Sequence, residues 1–173
     1  MATITLRPNS TISAGDWNVA DNDIPDTLND GSNVTVVYNT NGNQQMLLTL
    51  QSDTNSAETF VTAKITINAR RGAKGTEIIQ VNLETEAGDV LVTGEITLSD
   101  INLAVHEIEF TTIEGINIDT ANTLRFKLTG LTGKQSFITE ASVTLSTDAL
   151  TLTGSPIKLT SGRIQLTSGK ISL

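Results

Sequence analysis

The sequence predicts an all-β protein, a jelly-roll-like β-sandwich followed by a C-terminal tail of short strand repeats. Three observations carry the prediction. Apolar and polar residues alternate with period two along much of the chain, a pattern that puts one strand face in a core and the other in water. Clusters of Gly, Asn and Asp break the alternation at short intervals, as turns do. Between them no helical period runs long enough for the crossover helices of a parallel α/β fold.

The alternating runs are residues 3–6, 34–38, 46–50, 60–69, 77–83, 90–98, 106–112, 124–128 and 137–145. Within the fourth, Ile65, Ile67 and Ala69 share one face while Lys64, Thr66 and Asn68 share the other. Turn signals fall at Asn41-Gly42-Asn43, Gly72 to Gly75, Ala87-Gly88-Asp89, Glu114-Gly115 and Gly130 to Gly133. Residues 100–106 are the best helical candidate and are too short to alter the class. About eight to ten short strands at this spacing describe a sandwich or jelly roll, spanning residues 1–148.

Composition agrees with this reading. The 173 residues are 38% hydrophobic and 3% aromatic, with 3 Pro, and a chain of this length buries a core of ordinary size. Thr, Val and Ile favour a pleated surface, while Gly and Asn favour turns. There is no cysteine, which excludes disulfides, thiolate metal sites and a cysteine nucleophile. Met1-Ala2-Thr3-Ile4-Thr5-Leu6 has no signal-peptide pattern, and no apolar run approaches the ~18 residues of a membrane span. A membrane is therefore not an expected partner, and release inside a virus particle is one route by which such a chain leaves a cell.

The net charge of −8 is unevenly divided. Residues 1–148 carry 8 basic and 19 acidic side chains, a balance of −11, whereas residues 149–173 carry Lys158, Arg163 and Lys170 and no acid. An acidic body disfavours nucleic acid, whose phosphates require clustered Lys and Arg. The basic cluster Arg70-Arg71-Gly72-Ala73-Lys74 reads as a solvated turn at a strand end.

From Leu150 the tail has a seven-residue period: Leu150-Thr-Leu152, Ile157-Lys-Leu159, Ile164-Gln-Leu166 and Ile171-Ser-Leu173, with Gly-containing linkers between. Apolar residues at the first and third places have strand spacing, and Gly within the repeating unit excludes a coiled coil. A strand of three residues cannot bury its apolar pair alone, so these eight residues are expected to stack on each other, on the sandwich or on other chains. Residues 149–173 thus read as a docking or oligomerisation element, with a meander extending the chain's own sandwich as the alternative.

Candidate chemistry is sparse. Asp21, Asp23, Asp26 and Asp30 crowd an oxygen-rich stretch, and calcium takes about six to eight oxygens. The spacing lacks the Gly and Glu of an EF-hand, and Asx residues populate loops for conformational reasons alone, so a plain acidic loop stands beside calcium. No other cofactor is expected. His106 is the single histidine, and no Gly-x-Ser-x-Gly elbow accompanies it, which argues against a serine triad. Glu84 with Glu86, and Glu107 with Glu109, are spaced to share a strand face at glycosidase-like separations. In the second pair Ile108 and Phe110 take the alternate positions, so these carboxylates read as the water-facing side of a strand. With one Trp and one Tyr, the chain offers little aromatic surface for a sugar, and Trp17 reads as core.

The segments Ile4-Thr5-Leu6-Arg7-Pro8-Asn9, Trp17, Asp26-Thr27-Leu28-Asn29-Asp30-Gly31-Ser32, Thr62 to Arg70 and Ala141-Ser142-Val143-Thr144-Leu145 occur in an order similar to jelly-roll modules of tailed-phage virion proteins and some bacterial surface proteins. The resemblance covers about residues 3–147. It implies a jelly roll with the acidic stretch as an early loop, a structural or attachment role, and no catalytic residues. The expectation is a non-enzymatic virion protein on the outer surface of the particle, a head decoration or cement protein. It would dock on a major capsid protein or trimerise with itself through the tail. The alternatives are a tail-fibre or receptor-binding component and a calcium-dependent carbohydrate-binding module.

Overall fold

The computed structural model describes residues 2–19, 23–32, 36–39, 44–52, 59–72, 75–111, 113, 116 and 121–147. Asp21, Ala73, Lys74 and the whole repeat tail, with its eight Ile and Leu positions, lie outside them.

The elements in chain order are β1 (Thr3–Ser13), β2 (Trp17–Val19), α1 (Ile24–Asn29), β3 (Val37–Asn39), β4 (Gln45–Ser52), β5 (Thr62–Arg71), β6 (Glu77–Glu84), β7 (Val90–Leu98), β8 (Ala104–Phe110), β9 (Arg125–Gly130) and β10 (Ser136–Ser146). All strand pairs among them are antiparallel. One layer runs β8-β5-β10-β3-β2 and the other β1-β4-β9-β6-β7. The first residues of β1 pair with the end of β10, and the rest of β1 pairs with β4. Register shifts between Pro8 and Ser10, and between Thr11 and Ser13, bend this strand out of one layer into the other. The result is the predicted jelly-roll-like β-sandwich with one continuous core.

The alternation behaves as expected. Ala63, Ile65, Ile67 and Ala69 of β5, Ile79, Val81 and Leu83 of β6, and Ile138, Ala141, Val143 and Leu145 of β10 are buried. Trp17 is core, its indole N–H donating to the Gln44 carbonyl at 3.2 Å. Ile108 and Phe110 pack against the core while Glu107 and Glu109 face solvent.

Three local expectations are corrected. The acidic stretch holds a helix, not only a loop: Asp23 caps α1 by accepting from the Asp26 N–H at 2.8 Å, Pro25 sits in the first turn, and Ile24 and Leu28 are buried. Residues 100–106 are not helical; the Asp100 carboxylate accepts from the Asn102 N–H at 2.9 Å, and the chain then enters β8, of which His106 is the third residue. Glu84 and Glu86 do not share a strand face, because β6 ends at Glu84 and Glu86 lies in the following turn.

Candidate functional site

Strand register brings four side chains into one row across the outer face of the first layer. Asn18 of β2 lies opposite Tyr38 of β3, Tyr38 opposite Phe137 of β10, and Phe137 opposite Arg70 of β5. Their chain neighbours Val37, Asn39, Ser136, Ile138 and Ala69 are buried, so by strand alternation the row points away from the core. The Tyr38 and Phe137 rings are half-buried, with centroids 6.0 Å apart and planes tilted by 36°. The Arg70 guanidinium lies over the Phe137 ring, its Cζ 4.1 Å from the centroid. Beyond the bulge that follows Ile138, Glu140 pairs with Asn68 and flanks the row with a carboxylate and an amide.

Buried polar groups hold the row from beneath. The Asn39 side-chain oxygen accepts from both the backbone N–H and the hydroxyl of Ser136, each at 2.8 Å, which locks β3 to β10. Gly130 admits this arrangement, since a Cβ there would lie 2.5 Å from the Asn39 amide nitrogen. The buried Glu77 carboxylate accepts from Thr132 Oγ1 at 2.5 Å and from the Lys134 N–H at 2.7 Å, fixing the turn that leads into β10. The strip is therefore preorganised. It offers an aromatic ring and a guanidinium plate for stacking, with phenol, amide and carboxylate groups at its margins.

The outer face of the second layer differs. Glu84, its side chain 6% exposed, pairs with Lys127 at 3.3 Å, while Asn82 accepts from Thr93 Oγ1 at 2.7 Å. These polar groups satisfy one another and form a structural network. An open depression of about 190 Å3 lined by Arg7, Pro8, Asn9, Asn29, Gln51 and Ser52 lies beside α1.

The sequence-predicted residues are distributed as follows. Asp23 is spent on the helix cap, Asp30 accepts from the Ser32 N–H at 2.7 Å, and Asp26 lies exposed on α1. Among the described residues no cluster of three or more His, Asp or Glu is placed to hold a metal. Glu107 is paired with Lys64 at 2.9 Å, and His106 shares the register position of core residue Ile67. The Tyr38–Phe137–Arg70 strip went unread in the sequence. Its signal is the outward position of Tyr38 and Phe137 in strands whose alternate residues are apolar.

No protein-family model matches the sequence, and no curated protein matches it. The fold is similar to the C-terminal CBM6 domain of LamC, a marine laminarinase from Zobellia galactanivorans, with a TM-score of 0.51 at 16% identity over 84% of this chain and 100% of that one. The xylan-binding CBM22-1 domain of Xyn10C from Paenibacillus barcinonensis gives 0.49 at 9% identity over 81% of this chain and 86% of that one. What is shared with the LamC domain is the sandwich. At these identities the likeness concerns the fold, and the site is argued from the residues above.

Proposed function

We propose that this chain is a non-catalytic carbohydrate-binding module that lays a neutral glycan along the Tyr38–Phe137–Arg70 strip. The observation that carries the reading is the strip itself: rigid, amphipathic, outward-facing and flanked by hydrogen-bonding groups. Likeness of the fold to the LamC module supports it. Sugar C–H faces stack on the ring and the guanidinium plate, and hydroxyls reach Asn18, Asn68 and Glu140. The balance of −11 over residues 1–148 disfavours polyanionic glycans, hence a neutral one.

Affinity electrophoresis in gels containing soluble laminarin, xylan or hydroxyethylcellulose tests the reading. Retardation by at least one is expected, and Tyr38→Ala should weaken it roughly tenfold, the equivalent of ~1.4 kcal/mol. The near-ultraviolet circular dichroism of buried Trp17 checks that the variant is folded. Migration unaffected by every neutral glycan, or retardation indifferent to Tyr38→Ala and Arg70→Ala alike, would remove the proposal. Retardation abolished by chelator would turn it into a calcium-dependent one.

A further inference from the structure

Strand β8 is an edge. Among the described residues it pairs only with β5, and none of them supplies a ladder partner to the other row of its backbone N–H and C=O groups. On its core-facing side Ile108 and Phe110 are half-buried, packed against β7 at Gly94 and otherwise left partly uncovered at the sheet edge. On its outer side stand Glu107 and Glu109, next to Val105, which is 63% exposed. A strand added here meets apolar surface on one face and carboxylates on the other.

The tail has the matching pattern. In Ile157-Lys158-Leu159 the apolar pair shares one strand face and the lysine takes the opposite one, and residues 149–173 contain no acid. The chain also leaves the sandwich in the right place. β10 ends at Ser146, which lies opposite Thr62 of β5, and the next β5 residue, Ala63, lies opposite Phe110 of β8. From there the outer flank of β8 is three strand spacings away, roughly 14 Å. Residues 147–156 reach about 33 Å when extended. Because β10 and β8 both run antiparallel to β5, a chain turning back from Ser146 meets β8 antiparallel.

We propose that residues 157–159 of the chain's own tail add as an antiparallel strand to β8, with Ile157 and Leu159 covering Ile108 and Phe110 and Lys158 set against Glu107 and Glu109. The repeat then extends the layer beyond β8 by strand addition.

The cysteine-free sequence makes the test direct. Full-length protein carrying Glu107→Cys or Glu109→Cys together with Lys158→Cys is oxidised and run on a non-reducing gel, with Glu95→Cys plus Lys158→Cys as the control. One of the β8 pairs should give an intramolecular disulfide, seen as a faster monomer band, and the control should not. Wild-type hydrogen exchange supplies a readout free of substitutions at β8. The β8 amides not bonded to β5 should exchange at least roughly tenfold more slowly than in the Ile157→Asp/Leu159→Asp variant. Covalent dimers would replace the chain's own tail with that of a second copy. Equal cross-linking in the control, or rapid exchange along the β8 edge in the wild type, would overturn the proposal.

Discussion

A Cβ added at Gly94 would lie 2.8 Å from Cδ1 and 3.1 Å from Cγ2 of Ile108, so β7 and β8 approach this closely only because residue 94 has no side chain. Part of Ile108 can swing away, but Cγ2 is attached to its own Cβ and Phe110 Cζ closes the other side at 3.4 Å. Gly94→Ala should therefore cost about 1–3 kcal/mol, as overpacking does. The expected reading is a lower urea midpoint at unchanged slope. Ile108→Val in the same background should restore part of the loss.

Glu77 is a buried carboxyl group held by donors of the turn before β10. Its carboxylate accepts from Thr132 N–H and hydroxyl and from Lys134 N–H, and the residue is fully buried. Glu77→Ala strands these donors and should destabilise the protein by about 2–3 kcal/mol. Glu77→Gln keeps one acceptor oxygen and should lose roughly 1 kcal/mol. Urea unfolding of the three proteins, compared at one pH, checks the order.

Period-two alternation made the sandwich legible because its strands bury one face: β5 reads correctly from Thr62 to Ala69 by that rule alone. Short elements escaped it. Six residues give α1 less than two turns of period, and the Asp and Pro that start the helix are also ordinary loop residues. In residues 100–106 the Asp100 side chain imitates a helical turn without continuing one. The candidate strip was hidden for another reason. Tyr38 and Phe137 stand far apart in the chain and meet only through the β3–β10 register, a long-range fact that local pattern does not contain. A low aromatic count limits how many rings there are; it says nothing of whether two of them share a face.

Asp23 separates the helix cap from a calcium ligand by experiment. As the cap of α1, its loss in Asp23→Ala should cost about 1 kcal/mol whether or not calcium is present. Thermal unfolding with calcium and with chelator should then give coincident midpoints for the wild type. A midpoint raised by calcium in the wild type and not in the variant would assign Asp23 to a metal site instead.

The ion pair between Lys64 and Glu107 joins β5 to the β8 edge at 2.9 Å and sets a pH dependence of definite sign. The hydrogen bond to Glu107, followed by its charge, holds the Lys64 ammonium above the ordinary lysine value of 10.5. In the unfolded chain that partner is gone. Folding stability from this pair is thus fully present below pH 10.5 and declines as pH rises toward the higher folded value, because the unfolded chain releases its proton first. The stability difference between wild type and Glu107→Gln, measured by urea unfolding, should stay level from neutral pH to the onset of that range and shrink above it. Both side chains are exposed, so added salt should diminish the difference at every pH. A difference that grows with rising pH would place the stabilisation elsewhere than in the protonated Lys64.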